Sequence, residues 1–547
     1  MSGCWQTNLR ALGARPDPWS RALVKELADR GPAPDLGLRS RDGRILPGWM
    51  HEGRARSLVS TFDAAKEAQR WAEGAEGAVA VFGAAGRDAL GALRSAGATL
   101  SFWVEPRQEV WRSLLTWEDW SAEAASDDWL PVCGGLSDWE AALTGRYHPL
   151  WDGAFRALEW RSATAGAEEP WNAYRAATVR ALAAVAGDAS TQARFGERWY
   201  RNTLANLRRL PAGRIEACPG ARVVVAGAGP GLDDALDDGE NQRWLERRPA
   251  SGDKLFATDT ALPALSARGV VPDLVLCLDG QLPTYYHFVR PRPSGVPLVA
   301  DLASLPLLGR LGMPVVRYLS GHPFGAVVRR FFPEVPNLDG SLGNVSGLAL
   351  RTAQALGAGT VDAWGADFCY RDGQAYAHGT YLYDVAARYA NRLTPMESRL
   401  SASCYAAAGL ERTRDAQGRA LDTTPLLRDY RRRWFAPAAA AARVDLAHGA
   451  VGGRWAAFTE HWRRRLDSLP LPRGSMHAFL LTLPSETRED WLALWPLALA
   501  LHRQGVPAPE VPRAVKDRAA SLLEEQSLLT SGGGRRIMGT EEGNRAL

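Results

Sequence analysis

The chain has 547 residues, a length at which two to four domains are expected. Its hydrophobic fraction of 46% is typical of a globular protein, and its net charge of +4 arises from interspersed acidic and basic residues, which argues against a nucleic-acid partner. The longest apolar run, Trp491 to Leu501, is too short to span a membrane, and the N-terminus lacks a secretion signal. We therefore expect a cytoplasmic protein without a membrane partner.

The N-terminal region, residues 1–210, contains one β–turn–α–β pattern. Predicted strands at Val79–Phe82 and Thr99–Val104 flank a glycine turn and a helix, and Glu105 follows about 20 residues after the turn. This is the outline of half of a Rossmann fold, although a structural βαβ layer without a ligand fits the same residues. Tryptophans spaced as on helices, such as Trp111 and Trp120, predict core packing.

The central region, residues 211–400, alternates short apolar runs with helical stretches. Strands separated by helices predict a Rossmann-like, mostly parallel sheet with helices on both faces. The predicted strands are Arg222–Ala226, Leu255–Thr258, Leu274–Leu278, Pro297–Ala300, Val315–Tyr318 and Val361–Trp364. Residues 401–547 predict a helical C-terminal domain with a disordered tail from Ser531 to Leu547. The fold class is therefore α/β, with a smaller N-terminal α/β region and a helical C-terminal domain.

A glycine-rich loop follows the first central strand directly. Glycines allow a tight turn and a close approach to phosphate, and the next helix offers free N–H groups. A purely structural turn is the alternative. The candidate nucleotide-binding residues of this loop are Gly227, Ala228, Gly229, Pro230 and Gly231.

Polar residues follow the other strands at the edge where parallel sheets bind ligands. Thr258 and Asp259 end the second strand and Asp279 ends the third, while Asn344 and Ser346 begin a helix. Asp259 suits a ribose or base contact and equally a helix cap. The Gly-Asn helix start likewise suits an anion or a simple cap.

The segment from Trp364 to Thr380 contains the most specific pattern. Tyr370 and Tyr376 flank an Asp-Gly turn, and Asp367 and His378 lie within the same segment. Phenol hydroxyls can donate hydrogen bonds to a departing phosphate without a metal, and a histidine can accept a proton from an attacking hydroxyl. Each residue alone also fits a structural role.

Several motifs are absent from the sequence. There is no GxxxxGK[ST] loop, no Gly-x-Ser-x-Gly elbow and no isolated Asp-x-Asp metal clamp, and the cysteines form no CxxC pair. These absences argue against a Walker ATPase, a protein kinase, an α/β-hydrolase and a metal site. The acidic residues Asp233, Asp234, Asp237 and Asp238 predict a solvated helix face.

The order of these motifs resembles the central domain of the motility-associated-factor glycosyltransferases. The resemblance rests on GAGPGL, LFATDTALPAL, GVVPDLVLCLD, the Gly-Asn helix and GADFCYRDGQAYAHGT, and covers about residues 215–385. This domain is shared with archaeal hydroxymethylpterin pyrophosphokinase and is similar to bacterial sialyltransferases. The segment AVAVFGAAGRDALGALRSAGATLSFWVEP also looks like the family's N-terminal region.

The resemblance implies metal-independent, inverting transfer of a nonulosonic acid (pseudaminic or legionaminic type) from its CMP donor to Ser or Thr of flagellin, with no cofactor. Gly227, Gly229 and Pro230 match the family's GxGPSL loop, but Gly231 replaces its serine, so a hydroxyl contact is missing. Tyr370 and Tyr376 match the spacing of two sialyltransferase tyrosines that help the phosphate leave.

The later catalytic histidine of the sialyltransferases has no counterpart, which makes His378 the candidate base. Two alternatives remain: a pterin pyrophosphokinase that uses ATP and Mg²⁺, and a non-catalytic nucleotide-binding partner of flagellar export. Two additional domains argue against so small a substrate as a pterin.

Overall fold

The fold is described from a computed structural model that covers most of the chain in two compact units. The described residues are 2–15, 17–41, 43–126, 128–165, 168–289, 295–338, 340, 342–415, 418–435, 443–472 and 476–531. Unit 1 comprises residues 1–194, 470–488 and 498–514, and unit 2 comprises the rest. These units cut across the predicted boundaries at 210 and 400. The predicted disordered tail falls on residues 532–547, outside the described residues.

The described residues of unit 1 form two sheets. An antiparallel sheet has the order β1-β2-β3, and a parallel sheet has the order β6-β5-β4-β7. The strands are β1 Gly37–Arg39, β2 Ile45–His51, β3 Arg54–Ser57, β4 Gly77–Phe82, β5 Ala98–Val104, β6 Trp129–Val132 and β7 Phe155–Glu159. The helices are α1 Ser2–Gly13, α2 Pro18–Ala28, α3 Ala64–Trp71, α4 Arg87–Ser95, α5 Gln108–Trp117, α6 Ser121–Ala124, α7 Leu136–Arg146, α8 Pro149–Asp152 and α9 Arg161–Thr164. The predicted βαβ pattern is therefore confirmed as β4-α4-β5.

Two observations in unit 1 bear on its predicted core and on its βαβ pattern. Trp111 and Trp120 are almost completely buried, as predicted. The Glu105 carboxylate is also fully buried, and it accepts hydrogen bonds from the Ala84 N–H at 3.2 Å and from Arg107 at 2.6–2.7 Å. This carboxylate holds the turn after β4 in place, which favours the structural βαβ layer over a ribose contact.

Four helices have residues in both units: α10 Glu168–Arg208, α21 Ser485–Ala493, α22 Trp495–Arg503 and α23 Val511–Ser531. The helix α20, Met476–Thr482, lies entirely in unit 1. Within the described residues, no helix is both long enough and apolar enough to cross a lipid bilayer.

Unit 2 is built on a six-stranded parallel sheet with the order β13-β12-β11-β10-β9-β14. Its strands are β9 Arg222–Ala226, β10 Lys254–Thr258, β11 Leu274–Cys277, β12 Leu298–Asp301, β13 Val315–Tyr318 and β14 Thr360–Trp364. Apolar side chains cover both faces, because Val223 and Val225 join one buried cluster while Val224 and Ala226 join another. The predicted parallel sheet is confirmed.

Shorter strands and nine helices complete the described part of unit 2. The strands are β8 Gly213–Arg214, β15 Glu411–Arg414, β16 Ala420–Thr423 and β17 Ala447–His448. The helices are α11 Gly231–Asp237, α12 Gly239–Ser251, α13 Leu262–Ala267, α14 Gly325–Phe331, α15 Val345–Ala355, α16 Tyr381–Arg388, α17 Met396–Tyr405, α18 Pro425–Trp434 and α19 Arg454–Ser468. The C-terminal region is mainly helical, as predicted, and the β15-β16 hairpin interrupts it.

The strand order of unit 2 creates a switch point beside β9. From β9 the chain proceeds outward through β10, β11, β12 and β13, and it then returns to add β14 on the other side of β9. The switch point therefore lies at the carboxyl ends of β9 and β14, where a crevice forms beside the loops that follow these two strands. In open α/β sheets this crevice is where ligands bind.

Candidate active site

A cavity of about 550 Å³ occupies this crevice. This volume is within the range of small-molecule sites. Eight of the predicted site residues line it, namely Ala228, Gly229, Thr258, Asn344, Ser346, Asp367, Tyr370 and Tyr376. Six others lie outside its lining: Gly227, Pro230, Gly231, Asp259, Asp279 and His378. The structure thus brings together residues that are up to about 150 positions apart in sequence.

The glycine loop packs against the loop that follows β14. The Gly227 N–H donates to the Trp364 carbonyl, and the Gly229 N–H donates to the Gly365 carbonyl, both at 2.8 Å. A Cβ atom on Gly229 would lie 2.7 Å from the Gly365 oxygen, so the close approach of the two backbones requires glycine. These N–H groups therefore bond within the protein.

The N-terminus of α11 already has an anionic partner. The Gly231 N–H donates to an Asp367 carboxylate oxygen at 2.9 Å. Burial raises the pKa of Asp367, and this hydrogen bond and the nearby Arg371 guanidinium oppose that rise. Asp367 thus ties the glycine loop to the β14 loop at the cavity wall.

The N-terminus of α15 faces the cavity with its first residues. Asn344 caps this helix, because its Oδ1 accepts the Gly347 N–H at 2.8 Å. Asn344, Val345 and Ser346 all line the cavity. The backbone N–H groups of Val345 and Ser346 have no hydrogen-bond acceptor among the described residues, as expected for the first turn of a helix. This turn offers N–H donors and the positive end of a helix dipole to an anion.

The two predicted tyrosines present free hydroxyl groups. Neither the Tyr370 nor the Tyr376 hydroxyl has a hydrogen-bond partner within the described residues, and both side chains line the cavity. Burial raises the pKa of both phenols, and Tyr381 and Tyr370 add to the rise for Tyr376. Both groups are therefore protonated at neutral pH and can donate hydrogen bonds.

The segment that carries the tyrosines contains two residues with unusual backbone angles and forms hydrogen bonds with the β15-β16 hairpin. Phe368 and Asp372 have positive φ angles of 51° and 52°, which non-glycine residues rarely adopt. Tyr370 exchanges two backbone hydrogen bonds with Asp422 of β16, at 2.6 and 2.9 Å. The hairpin therefore fixes the position of the Tyr370 backbone.

His378 lies beside the cavity and forms a pair with Asp233. Its Nδ1 is 2.7 Å from the Asp233 carboxylate, and its Nε2 is 3.4 Å from the Gln374 amide nitrogen. A proton on Nδ1 is thus held by Asp233, and Nε2 is left as the proton acceptor. The side chain is 59% exposed, so this nitrogen is accessible to a substrate from solvent.

Three of the four acidic residues predicted to form a solvated helix face, Asp234, Asp237 and Asp238, are exposed, and Asp233 is half-buried. Asp233 pairs with His378, and Asp234 forms an ion pair with Arg371 at 2.5 Å. Asp237 pairs with Arg268, and Asp238 caps α12. The first two carboxylates hold the segment that carries the tyrosines and the histidine.

The three predicted residues at the strand ends, Thr258, Asp259 and Asp279, have different local roles. Thr258, rather than Asp259, caps the turn after β10, since its hydroxyl accepts the Ala261 N–H at 3.3 Å. The buried Asp259 carboxylate accepts the Thr260 N–H at 2.8 Å. Asp279 is exposed, and its carboxylate accepts the N–H of Gln281 at 2.9 Å.

His287 is a functional candidate that the sequence interpretation missed. Its Nε2 is 3.5 Å from the hydroxyl of Thr260, which lines the cavity, and its buried Nδ1 has no partner among the described residues. Burial lowers its pKa, while Asp259 and Asp279 oppose that change. A neutral histidine close to two strand-end carboxylates is a second potential base. The sequence feature that could have identified His287 is its position shortly after Asp279, which follows a predicted strand.

Residues beyond position 400 complete the cavity and were also missed. Ser403 and Cys404 of α17 and Leu427 and Tyr430 of α18 belong to its lining. Tyr430 adds a third phenol, and burial raises its pKa. Within the lining there is one carboxylate, that of Asp367, and there is no lysine or arginine.

Comparisons with known proteins show similarity in a central segment and in the fold. Residues 198–373 match the family model described as 6-hydroxymethylpterin diphosphokinase MptE-like. Two uncharacterized proteins of Treponema pallidum (strain Nichols) are 32% identical over 117 residues and 28% identical over 137 residues. These matches cover 21% and 22% of this chain, and 41% and 60% of the two relatives.

A solved structure extends the likeness to almost the whole chain. The MAf glycosyltransferase from Magnetospirillum magneticum AMB-1 superposes with a TM-score of 0.53 over 96% of both chains, at 13% sequence identity. At this identity the match concerns the fold. The resemblance predicted from the motifs is thereby confirmed: the chain contains an MptE-like segment at residues 198–373 and has the fold of a MAf glycosyltransferase.

Proposed function

We propose that this protein is a glycosyltransferase that moves a nonulosonic acid from a CMP-sugar to a Ser or Thr hydroxyl of flagellin in the cytoplasm. The observation that carries the proposal is the pair of free phenol hydroxyls, Tyr370 and Tyr376, in the cavity beside β9 and β14. The fold shared with the MAf glycosyltransferase supports the reaction class. The donor, the acceptor and the compartment rest on the motif resemblance.

The phosphate of the donor is assigned to the first turn of α15. Free N–H groups at Val345 and Ser346 suit an anion, and the helix dipole adds to the attraction. The cavity lining offers no lysine or arginine for this task. Gly229 and Ala228 form the neighbouring wall, and Asp367 holds that wall in position through the Gly231 N–H.

Transfer then proceeds as one displacement with inversion. The acceptor hydroxyl attacks the anomeric carbon, the bond from this carbon to the phosphate oxygen breaks, and the electron pair stays on the departing CMP. Tyr370 and Tyr376 donate hydrogen bonds to this oxygen as its negative charge grows. Such donors stabilise the transition state more than the bound donor sugar, and thus they raise the rate. No cofactor takes part in these steps.

We assign to His378 the role of the base that accepts the proton of the acceptor hydroxyl. Asp233 holds Nδ1–H and stabilises the imidazolium that forms, while Nε2 accepts the proton. We expect His378→Ala to lower transfer by about 10²–10⁴-fold and to remove the acidic limb of the pH–rate profile, because general-base catalysis contributes this much. Mass spectrometry of co-expressed flagellin and the rate at several pH values measure the effect.

The matched variant is His287→Ala, which removes the second histidine near the cavity. If His378 is the base, His287→Ala keeps the acidic limb of the profile. The reverse pattern, in which only His287→Ala removes that limb, assigns the base to His287 and leaves the proposed reaction class unchanged. Full modification of flagellin by both variants contradicts histidine as the base.

The nucleotide preference separates this proposal from the pyrophosphokinase alternative, which the description of the family model keeps open. We expect CMP to bind without Mg²⁺ and ATP·Mg²⁺ to bind more weakly, because the cavity offers a single carboxylate and no lysine clamp. Isothermal titration calorimetry with each nucleotide, with and without Mg²⁺, is the measurement. Tight ATP·Mg²⁺ binding with no response to CMP contradicts the proposal.

A further inference from the structure

A second cavity lies beside β13, which is one edge strand of the unit 2 sheet. It has a volume of about 370 Å³ and is lined by residues that begin β13, including Val315, and by the segment just after α10. The first cavity lies beside β9 and β14, and in the strand order β13 is at the other edge of the sheet from β14. The two cavities share no lining residue.

The charge of this second cavity is entirely positive. Arg209, Arg214, Arg310 and Arg317 line it, and its lining contains no aspartate or glutamate. Arg214 is near Asp445 at 3.5 Å, and both side chains are exposed. Arg209 and Arg310 form no ion pair with any described residue. Such a concentration of like charges is unfavourable without an anion between them.

The positive charges of Arg209 and Arg310 also act on a neighbouring side chain. Arg208, the last residue of α10, has a pKa that is lowered first by burial and then by the positive charges of Arg209 and Arg310. These guanidinium groups are therefore close enough to affect one another. An anion bound among them would relieve this repulsion.

Arg317 is the buried member of the group. Only 3% of its surface is exposed, and its Nη1 donates to the Asp301 carbonyl and to the Ser304 hydroxyl. Asp301 attracts it, but the carboxylate of Asp301 accepts a backbone N–H from Ala303. Burial lowers the pKa of Arg317 to about 10, so the group stays charged at neutral pH.

The Nη2 group of Arg317 has no hydrogen-bond acceptor among the described residues. A buried charge of this kind is costly unless a counter-ion or further hydrogen bonds stabilise it. The guanidinium group is planar, and two of its N–H groups match the spacing of two phosphate oxygens. The exposed Arg209 and Arg310 are available to contact the remaining oxygens.

We propose that this second cavity binds a small molecule with a phosphate or diphosphate group, held by Arg317 at its base and by Arg209 and Arg310 at its rim. The volume suits a small phosphorylated metabolite. The site is separate from the first cavity, and the proposal does not depend on the glycosyltransferase function.

Calorimetry with inorganic pyrophosphate on the full chain tests the proposal. We expect one molecule to bind, and the double variant Arg209→Gln/Arg310→Gln to weaken binding by roughly tenfold or more, since charge-assisted hydrogen bonds are strong. Both side chains are exposed, so folding should be preserved. The control is Arg243→Gln/Arg329→Gln, which removes the same charge from exposed positions outside the cavity.

The same titration is repeated in the presence of saturating CMP. Binding that persists with CMP and that only the cavity variant weakens supports a second site. Three results overturn it: no binding of pyrophosphate, equal weakening by both double variants, or competition between pyrophosphate and CMP. Because CMP binding by the cavity variant is measured in parallel, failure of this proposal is distinguishable from failure of the proposed function.

Discussion

Replacing the two cavity phenols with phenylalanine is expected to abolish most transfer while the donor still binds. In Tyr370→Phe or Tyr376→Phe one hydrogen-bond donor to the departing phosphate is lost, and loss of such a donor lowers the rate by about 10²–10³-fold. Donor binding should change far less, because the hydrogen bond strengthens only as the phosphate charge develops. The measurements are the extent of flagellin modification by mass spectrometry and CMP affinity by calorimetry.

The matched control is Tyr389→Phe, at an exposed tyrosine outside the cavity lining. This control should leave both modification and affinity unchanged. If the double variant Tyr370→Phe/Tyr376→Phe modifies flagellin fully, the cavity beside β14 is not the catalytic centre. Equal losses of CMP affinity and of rate would instead mean that the phenols bind the donor and do not act on the transition state.

The substitution Gly229→Ala is expected to destabilise unit 2 and to impair nucleotide binding together. The new Cβ would lie 2.7 Å from the Gly365 carbonyl oxygen and even closer to the Asp367 carboxylate. Steric overlap of this kind costs about 1–3 kcal/mol. Movement of Asp367 would also break its hydrogen bond to the Gly231 N–H and displace the cavity wall. Urea unfolding and CMP calorimetry measure the two effects.

Gly239→Ala is the control for this substitution, since a Cβ there would contact only the end of the Arg243 side chain, at 3.9 Å. Its stability should equal or exceed that of the wild type, because alanine favours the helix in which Gly239 lies. If Gly229→Ala is as stable as Gly239→Ala, the close packing of the glycine loop against the β14 loop is refuted. If it is destabilised but binds CMP normally, the loop has only a structural role.

The parallel sheet of unit 2 could be predicted because each of its strands is marked by a short, mostly apolar run in the sequence. Short apolar runs such as Arg222–Ala226 and Val315–Tyr318 coincide with β9 and β13. Three other strands differ from their predictions by one residue at one end, and β12 is shifted by one residue at both ends. Buried parallel strands are continuously apolar, so their pattern does not depend on the rest of the fold. Placing candidate residues after each strand then located Thr258, Tyr370 and Tyr376 in one cavity.

Other parts of the site depend on contacts that no local pattern reports. Asp233 looked like part of a solvated helix face, but it pairs with His378, which is 145 residues away in the sequence. Tyr430 lies on a helix whose sequence, PLLRDYRRRW, has no motif of its own. His287 acquires significance only through its distance to Thr260. Such pairings follow from how the loops and helices pack, and a single sequence does not encode them in its spacing.

The partial exposure of helix α18 affects how the ligand preference of the cavity can change. None of its described side chains is buried, although Leu427 and Tyr430 line the cavity. Substitutions there alter the cavity surface without removing apolar side chains from the core of the sheet, so they carry little penalty in folding free energy. The residues of β9 from Val223 to Ala226 are buried in the core and have no such freedom. Substitutions in α18 can therefore change which ligand the cavity accepts while the sheet and the glycine loop stay the same.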